Sequence, residues 1–117
     1  MDIAIGASSL TNEAKASFET PDNEIFISAA SIWELGLKKS LGKLDFDVEG
    51  AVALFPSLGI KVIDVTLPIV LLVNKLPYHH RAPFDRVIIA TAKHEEMTVV
   101  TSDSVFADYA LDIILSR

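Results

Sequence analysis

The stretch FDRVIIATAKHEEMTVVTSD, residues 84–103, decides the fold class because a helical pattern in it runs directly into a strand. Phe84 to Glu96 has the apolar spacing of an amphipathic helix, and Met97 to Thr101 is a short run rich in β-branched residues. Upstream, Glu24 to Ser28 (EIFIS) predicts a strand that continues into a helix over Ala29 to Ser40. This repeated alternation predicts an α/β fold with a mainly parallel sheet and helices on both faces.

The rest of the chain contributes shorter elements of the same two kinds. Helices are predicted over Leu10 to Glu19, Asp47 to Leu58, Leu67 to Lys75 and Ser104 to Tyr109. Ile60 to Val65 (IKVIDV) predicts another strand, and Pro77 to Pro83 (PYHHRAP) predicts an irregular loop bounded by prolines. A chain of 117 residues has room for one hydrophobic core, so we expect a single domain over residues 1–117.

Composition excludes several classes of function. The chain has no cysteine, which rules out disulfides, thiol catalysis and cysteine-ligated zinc. Its longest nearly apolar run, Val65 to Val73, is far shorter than the roughly 20 residues that span a bilayer. The N-terminus also lacks the positive charge of a signal peptide, so we expect a cytoplasmic protein. A net charge of −6 disfavours nucleic-acid binding by bulk electrostatics, and any such chemistry must therefore be local.

Three carboxylates occupy comparable places in the predicted strand–helix units. Glu34 lies in the helix after EIFIS, Asp85 opens the long helix, and Asp103 follows MTVVT. Ligands of open α/β sheets bind beyond the carboxyl ends of the strands, so these acids can converge although they are distant in sequence. A carboxylate cluster without cysteine favours Mg²⁺ or Mn²⁺ over zinc, and phosphoryl transfer is the chemistry that such cations support.

Each acid also has an ordinary structural explanation when it is taken alone. Ser31 and Glu34 have the spacing of a helix capping box, and Lys38 is placed to form an ion pair with Glu34. Asp85 near a helix start is stabilised by the helix dipole, and Asp103 can cap the short helix that follows it. The structural explanation has to apply separately to each of the three acids, whereas a single shared site accounts for all of them.

Three segments together resemble the VapC-type toxins of the PIN family: residues 23–44 (NEIFISAASIWELGLKKSLGKL), 76–103 (LPYHHRAPFDRVIIATAKHEEMTVVTSD) and 106–109 (FADY). In that family a W-E pair follows the second strand, P-F-D-R opens the helix with the next acid, and T-x-D ends the following strand. Glu34, Asp85 and Asp103 match these acidic positions. The resemblance implies a PIN-like fold and a metal-dependent endoribonuclease, with the three acids as catalytic residues and ligands of Mg²⁺ or Mn²⁺. It also implies a cognate antitoxin protein as a partner.

The N-terminus departs from the pattern of that family, in which the first strand is central and ends in a further metal-binding Asp. Only nine residues precede the helix predicted from Leu10, which leaves no room for a strand, its Asp and a connecting segment. We expect residues 1–9 to be a remnant of the N-terminal segment and the central first strand to be absent. Asp2 is a poor substitute for the missing acid because only Met1 precedes it. Loss of a central strand exposes two unpaired edges, which predicts a domain-swapped or otherwise intertwined homodimer.

Basic and aromatic residues around Asp85 form a candidate RNA contact. The basic residues concerned are His79, His80, Arg81 and Arg86. RNA recognition commonly combines such groups with aromatic platforms, although a solvent-exposed loop with packed aromatic residues explains the same composition. Trp33 is expected in the core or in an interface rather than against a base.

Two functions remain open from the sequence. The first is an active endoribonuclease in which the three acids hold the cation and a metal-activated water is the nucleophile. The second is a catalytically impaired PIN domain that acts as an antitoxin-binding or dimerisation module. A missing carboxylate favours the second, because cation affinity depends on ligand count and negative charge. A natural start codon farther upstream, which would restore the strand, is another explanation of the N-terminus.

Overall fold

A computed structural model describes residues 2–6, 24–77, 82–101 and 113–115 of the chain. The strands in these ranges are β1 (Asp2–Ile5), β2 (Glu24–Ser28), β3 (Ile60–Ile63), β4 (Thr98–Thr101) and β5 (Ile113–Leu115). The helices are α1 (Ala29–Ser40), α2 (Val48–Leu58), α3 (Leu67–Lys75) and α4 (Pro83–Glu95). None of the helices in the described part of the chain is long and apolar enough to cross a membrane.

The described strands form one five-stranded sheet in the order β3-β2-β1-β4-β5, and every neighbouring pair is parallel. Ile5 of β1 pairs with Ile27 of β2 on one side and with Val100 of β4 on the other. Parallel strands need crossover connections, which helices supply between β2 and β3 and between β3 and β4. The carboxyl ends of β2, β1 and β4 therefore lie side by side at one edge of the sheet.

Helices cover both faces of this sheet, as predicted. Side chains alternate along a strand, so Ile3 and Ile5 of β1 join one buried cluster with Phe55 of α2. Ala4 points to the opposite face, where it joins a second cluster with Ile89 of α4. α1 and α2 pack against the first cluster, and α3 and α4 form part of the second. The predicted parallel α/β class is confirmed.

Helix α1 begins where the sequence predicted, but a different residue caps it. The Ser28 hydroxyl, at the end of β2, accepts a hydrogen bond from the backbone N–H of Ala30 at 3.1 Å. The predicted capping box of Ser31 and Glu34 is wrong, because Ser31 lies inside the helix and is fully buried. The cap at Ser28 joins β2 directly to α1, so the strand and helix follow each other without a loop.

The expectation that the central first strand is absent is wrong, and residues 1–9 are not merely a remnant. Asp2–Ile5 forms that strand and pairs with both β2 and β4. Four residues suffice here because both neighbours supply hydrogen bonds and the side chains of Ile3, Ala4 and Ile5 are buried. The described sheet is continuous within one chain, so the two unpaired central edges that predicted domain swapping do not exist. The helices predicted over Leu10 to Glu19 and Ser104 to Tyr109 lie outside the described residues.

The central position of β1 predicts a large stability cost for a small change in it. Ile3→Ala removes a fully buried side chain and is expected to lower the free energy of unfolding by about 2–5 kcal/mol. Leu54→Ala in α2 removes an exposed leucine and is the matched control, with an expected change within about 0.5 kcal/mol. Urea denaturation measures both variants. Equal costs for the two variants would contradict the central placement of β1.

Candidate active site

Glu34 lies at the carboxyl edge of the sheet because α1 starts at the residue that follows β2. Its side chain is 18% exposed, and its Oε2 lies 3.3 Å from Nζ of Lys38, one helical turn farther on. The predicted ion pair is confirmed. Lys38 is itself about half exposed, so the pair is open to solvent and contributes little to stability. The contact directs the Glu34 carboxylate toward the C-terminal end of α1.

Asp85 reaches the same edge because α4 lies close against the end of β1. Helix α4 is followed almost at once by β4, so it runs antiparallel to the strands. A Cβ atom on Gly6, the residue after β1, would lie only 3.0 Å from Cδ1 of Ile88. Asp85 is three residues before Ile88, which places it about 4.5 Å farther along the helix axis. The first turn of α4, with Asp85, therefore stands beyond the carboxyl end of β1.

An aromatic contact joins the two helices beside these acids. The rings of Trp33 in α1 and Phe84 in α4 meet edge to face, with centroids 5.0 Å apart and an interplanar angle of 87°. Such contacts stabilise by about 0.5–1.5 kcal/mol beyond the burial of area. Each aromatic residue immediately precedes one of the candidate acids, Glu34 and Asp85. The contact therefore fixes the separation of the two backbone segments that bear them.

Arg86 has a structural role that the sequence did not reveal. Its side chain is only 5% exposed, and its guanidinium donates hydrogen bonds to the carbonyl oxygens of Val73, Leu76 and Pro77 at 2.8, 3.2 and 2.9 Å. These carbonyls belong to the C-terminal end of α3 and the residues after it, which lack helical partners. The prediction that Arg86 contacts RNA is wrong in this structure, because a buried guanidinium with these partners is not available to a phosphate.

The structure describes only some of the other predicted site residues. Those outside the described residues are Asp103, His79, His80 and Arg81. Asp103 comes two residues after Thr101, which ends β4 at the same edge. Asp2 starts β1 and pairs with Glu24, so its backbone lies at the opposite, amino edge of the sheet. Asp2 therefore does not replace the acid that the family carries at the end of its first strand.

The donor set is compatible with a hard divalent cation, although it is incomplete in the described ranges. Glu34 and Asp85 come from different helices and offer only oxygen atoms, which Mg²⁺ and Mn²⁺ prefer. Among the described residues no group of three or more His, Cys, Asp or Glu could hold a metal ion. A site of three acids therefore depends on Asp103 and stays a prediction.

Sequence reasoning missed two contributors to the geometry of this site, the Trp33–Phe84 contact and the buried Arg86. The P-F-D-R motif contained the signal for one of them, because it places an arginine one residue after the acid at the start of a helix. No sequence pattern indicates that such an arginine turns back onto the preceding helix. Trp33 is also exposed rather than in the core, so that part of its expectation is wrong.

Comparison with known proteins supports the fold described above. The family model of the PIN domain matches residues 3–111. The structure resembles VapBC2 from Rickettsia felis, solved bound to a promoter DNA fragment, with TM-score 0.76 and 20% identity over 98% of each chain. It also resembles VapBC-5 from Mycobacterium tuberculosis, a toxin-antitoxin member, with TM-score 0.68 and 18% identity over 98% of each chain. No curated protein matches the sequence.

The hydrogen bonds of Arg86 predict its effect on stability. Arg86→Met keeps a long side chain but leaves three backbone acceptors without their donor, which is expected to cost at least about 2 kcal/mol in the free energy of unfolding. Arg86→Lys should recover only part of this, because one ammonium group cannot span three carbonyls as the guanidinium does. Lys39→Met, at an exposed position of α1, is the control in the same urea titrations. Wild-type stability of Arg86→Met would disprove the structural role.

Proposed function

The chain belongs to the PIN domain family, whose members are typically nucleases, and on that premise we propose that it is a metal-dependent endoribonuclease. More narrowly, it acts as the VapC-type toxin of a toxin-antitoxin pair and hydrolyses phosphodiester bonds of RNA. The single observation that carries the proposal is the convergence of α1 and α4 at the carboxyl edge of the sheet. There the Trp33–Phe84 contact brings the backbones before Glu34 and Asp85 together.

In the proposed site Glu34, Asp85 and Asp103 would hold Mg²⁺ or Mn²⁺. A divalent cation bound there supplies activation of the attacking water and neutralisation of charge on the departing oxygen. Lys38, which is about half exposed, forms an ion pair with Glu34 that would cost little to replace if the carboxylate became a metal ligand. Asp85 stands in the first turn of α4, where the helix dipole stabilises its negative charge. Arg86 fixes the N-terminal end of α4 against α3 and so positions Asp85.

A second candidate function is a catalytically impaired domain that binds an antitoxin or a second copy. The observation that favours it is the end of β1, where the family carries a further acid. In this chain the strand ends at Ile5, and Gly6, Ala7, Ser8 and Ser9 follow. No carboxylate is available in that segment, so the cation would have fewer ligands and less negative charge around it. Metal affinity therefore separates the two candidates.

The partners follow from the same proposal. VapBC-5 is described as a member of the VapBC family of toxin-antitoxin systems, and VapBC2 carries the same family name. A cognate antitoxin is proposed here by analogy with them. Helix α3 presents the exposed apolar side chains of Leu67, Val70 and Leu71, which would suit a protein partner. We also propose a homodimer, but because β1 is present this proposal no longer depends on a missing strand. The proposed action on cellular RNA fits a cytoplasmic location, which is part of the same proposal.

Cleavage of a panel of structured RNAs tests the proposed activity. With Mg²⁺ or Mn²⁺ we expect the purified chain to cut RNA, and Asp85→Asn and Glu34→Gln to lower the rate at least about 100-fold. Even groups one step removed from a metal typically contribute about 10- to 100-fold. Glu49→Gln, which alters an exposed acid in the first turn of α2, is the matched control and should cut normally.

The outcomes of this assay separate the candidates. Undiminished cleavage by Asp85→Asn would rule out the proposed site. If the folded wild-type chain does not cleave any RNA, thermal unfolding with added Mn²⁺ decides the next step. A cation that binds only the folded state raises the unfolding temperature. If Asp85→Asn abolishes that rise, the metal site is supported even though no RNA is cleaved. Absence of any shift favours the impaired binding module.

A further inference from the structure

Trp33 is the single tryptophan of the chain, and its side chain is 67% exposed. A tryptophan gains more from burial than almost any other residue, so a ring exposed on this scale forgoes most of that gain and remains available to a ligand. The ring is not loosely placed, since Phe84 contacts it edge to face at 5.0 Å. The structure thus holds a large aromatic surface in a defined position and leaves most of it open to solvent.

The location of this ring connects it with the candidate active site. Trp33 directly precedes Glu34, and its partner Phe84 directly precedes Asp85. A flat apolar surface next to two carboxylates is suited to a ligand with an aromatic part and a part that binds a cation. A nucleotide has both, because its base stacks on aromatic side chains and its phosphate binds metal ions.

Positive charge follows on the same helix. Lys38 and Lys39 lie in the last turn of α1, and Lys43 follows just after its end, where its N–H bonds to the carbonyl of Lys38 at 2.9 Å. Lys38 and Lys39 are about 8–9 Å from Trp33 along the helix axis. Lys38 is already paired with Glu34, so Lys39 and Lys43 supply most of the local positive charge that contact with a phosphate backbone requires in a chain of net charge −6.

We propose that Trp33, held by Phe84 beside Glu34 and Asp85, is a stacking platform for an unpaired base of the RNA substrate. The lysines at the end of α1 contact the neighbouring phosphates. The inference rests on the proposed nuclease function and assigns one residue, Trp33, a direct contact with the substrate. A base inside a duplex offers no free face to the indole ring.

A protein partner is the competing occupant of this surface. Leu37 and Leu41 are also exposed and follow Trp33 at intervals of four residues, so they form an apolar row along α1. Such a row suits a partner helix. The RNA assignment is favoured because the row begins at the two acids and ends among lysines, which matches a ligand of alternating bases and phosphates. Fluorescence titration with RNA and sedimentation of the variants distinguish an RNA base from a protein partner.

Because Trp33 is the single tryptophan, its fluorescence reports directly on the proposed contact. Asp85→Asn in Mg²⁺ serves as the host protein, so that the RNA is not cleaved during titration. We expect a short oligoadenylate to quench the fluorescence, and the same strand paired with its complement to quench it far less. A labelled version of the oligoadenylate, followed by anisotropy, gives the affinity. Trp33→Ala should weaken this affinity about 5- to 150-fold, the range reported for loss of one stacked base.

Matched variants make the result specific. Trp33→Phe keeps a ring and should retain most of the affinity, and Leu58→Ala, which removes an exposed leucine from α2, should leave it unchanged. Lys39→Gln should lower the slope of log affinity against log salt by about 0.7, the value for one phosphate contact with a single strand. No quenching together with unchanged affinity of Trp33→Ala would overturn the inference. A changed sedimentation coefficient of Trp33→Ala with unchanged RNA affinity would also overturn it and assign the ring to a protein interface.

The proposed RNA contact of Trp33 and the proposed nuclease activity can be contradicted independently of each other. Quenching by single-stranded RNA supports the platform even if the wild-type chain proves unable to cleave, in which case the nuclease proposal alone fails. Normal cleavage without quenching retains the nuclease and removes the platform.

Discussion

Helix α4 can lie against the centre of the sheet because the residues that face it at the end of β1 and directly after it are small. Ala4 and Gly6 are two residues apart and so point to the same face, where Ala4 packs in the cluster that includes Ile89. At Gly6 there is no space for a Cβ without moving Ile88. This close approach fixes how far the first turn of α4 projects beyond the sheet. The positions of Phe84, Asp85 and Arg86, and therefore the candidate site, depend on it.

Each of the four residues that open α4 contributes differently to the candidate site. Pro83 occupies the first turn, where its missing N–H costs nothing, and Phe84 contacts α1 through Trp33. Asp85 is a residue of the candidate site, and Arg86 bonds to the end of α3. The helix is thus attached to a neighbour on either side of the acid. Such attachment is what a charged side chain needs if its position is to be set before a ligand arrives.

Most of the regular structure was predictable because its signals are local. The bounds of β2, α1 and α3 agree with the sequence patterns, since each depends on apolar spacing and on residues at its own ends. β1 was missed because its stability comes from neighbours distant in sequence, and a run of four residues carries little local signal. Burial of Arg86 and exposure of Trp33 were missed for a related reason. Side-chain environment depends on which helices meet, and the sequence does not state where α3 ends relative to α4.

The buried Arg86 also has a consequence for how sequences of this kind diverge. Its hydrogen bonds serve folding, so selection for a folded chain retains it whether or not the chain cuts RNA, and the same holds for Phe84. Retention of both residues in a related sequence therefore reports a folded domain rather than an active one. Asp85, which lies between them, is the position that bears on the proposed chemistry.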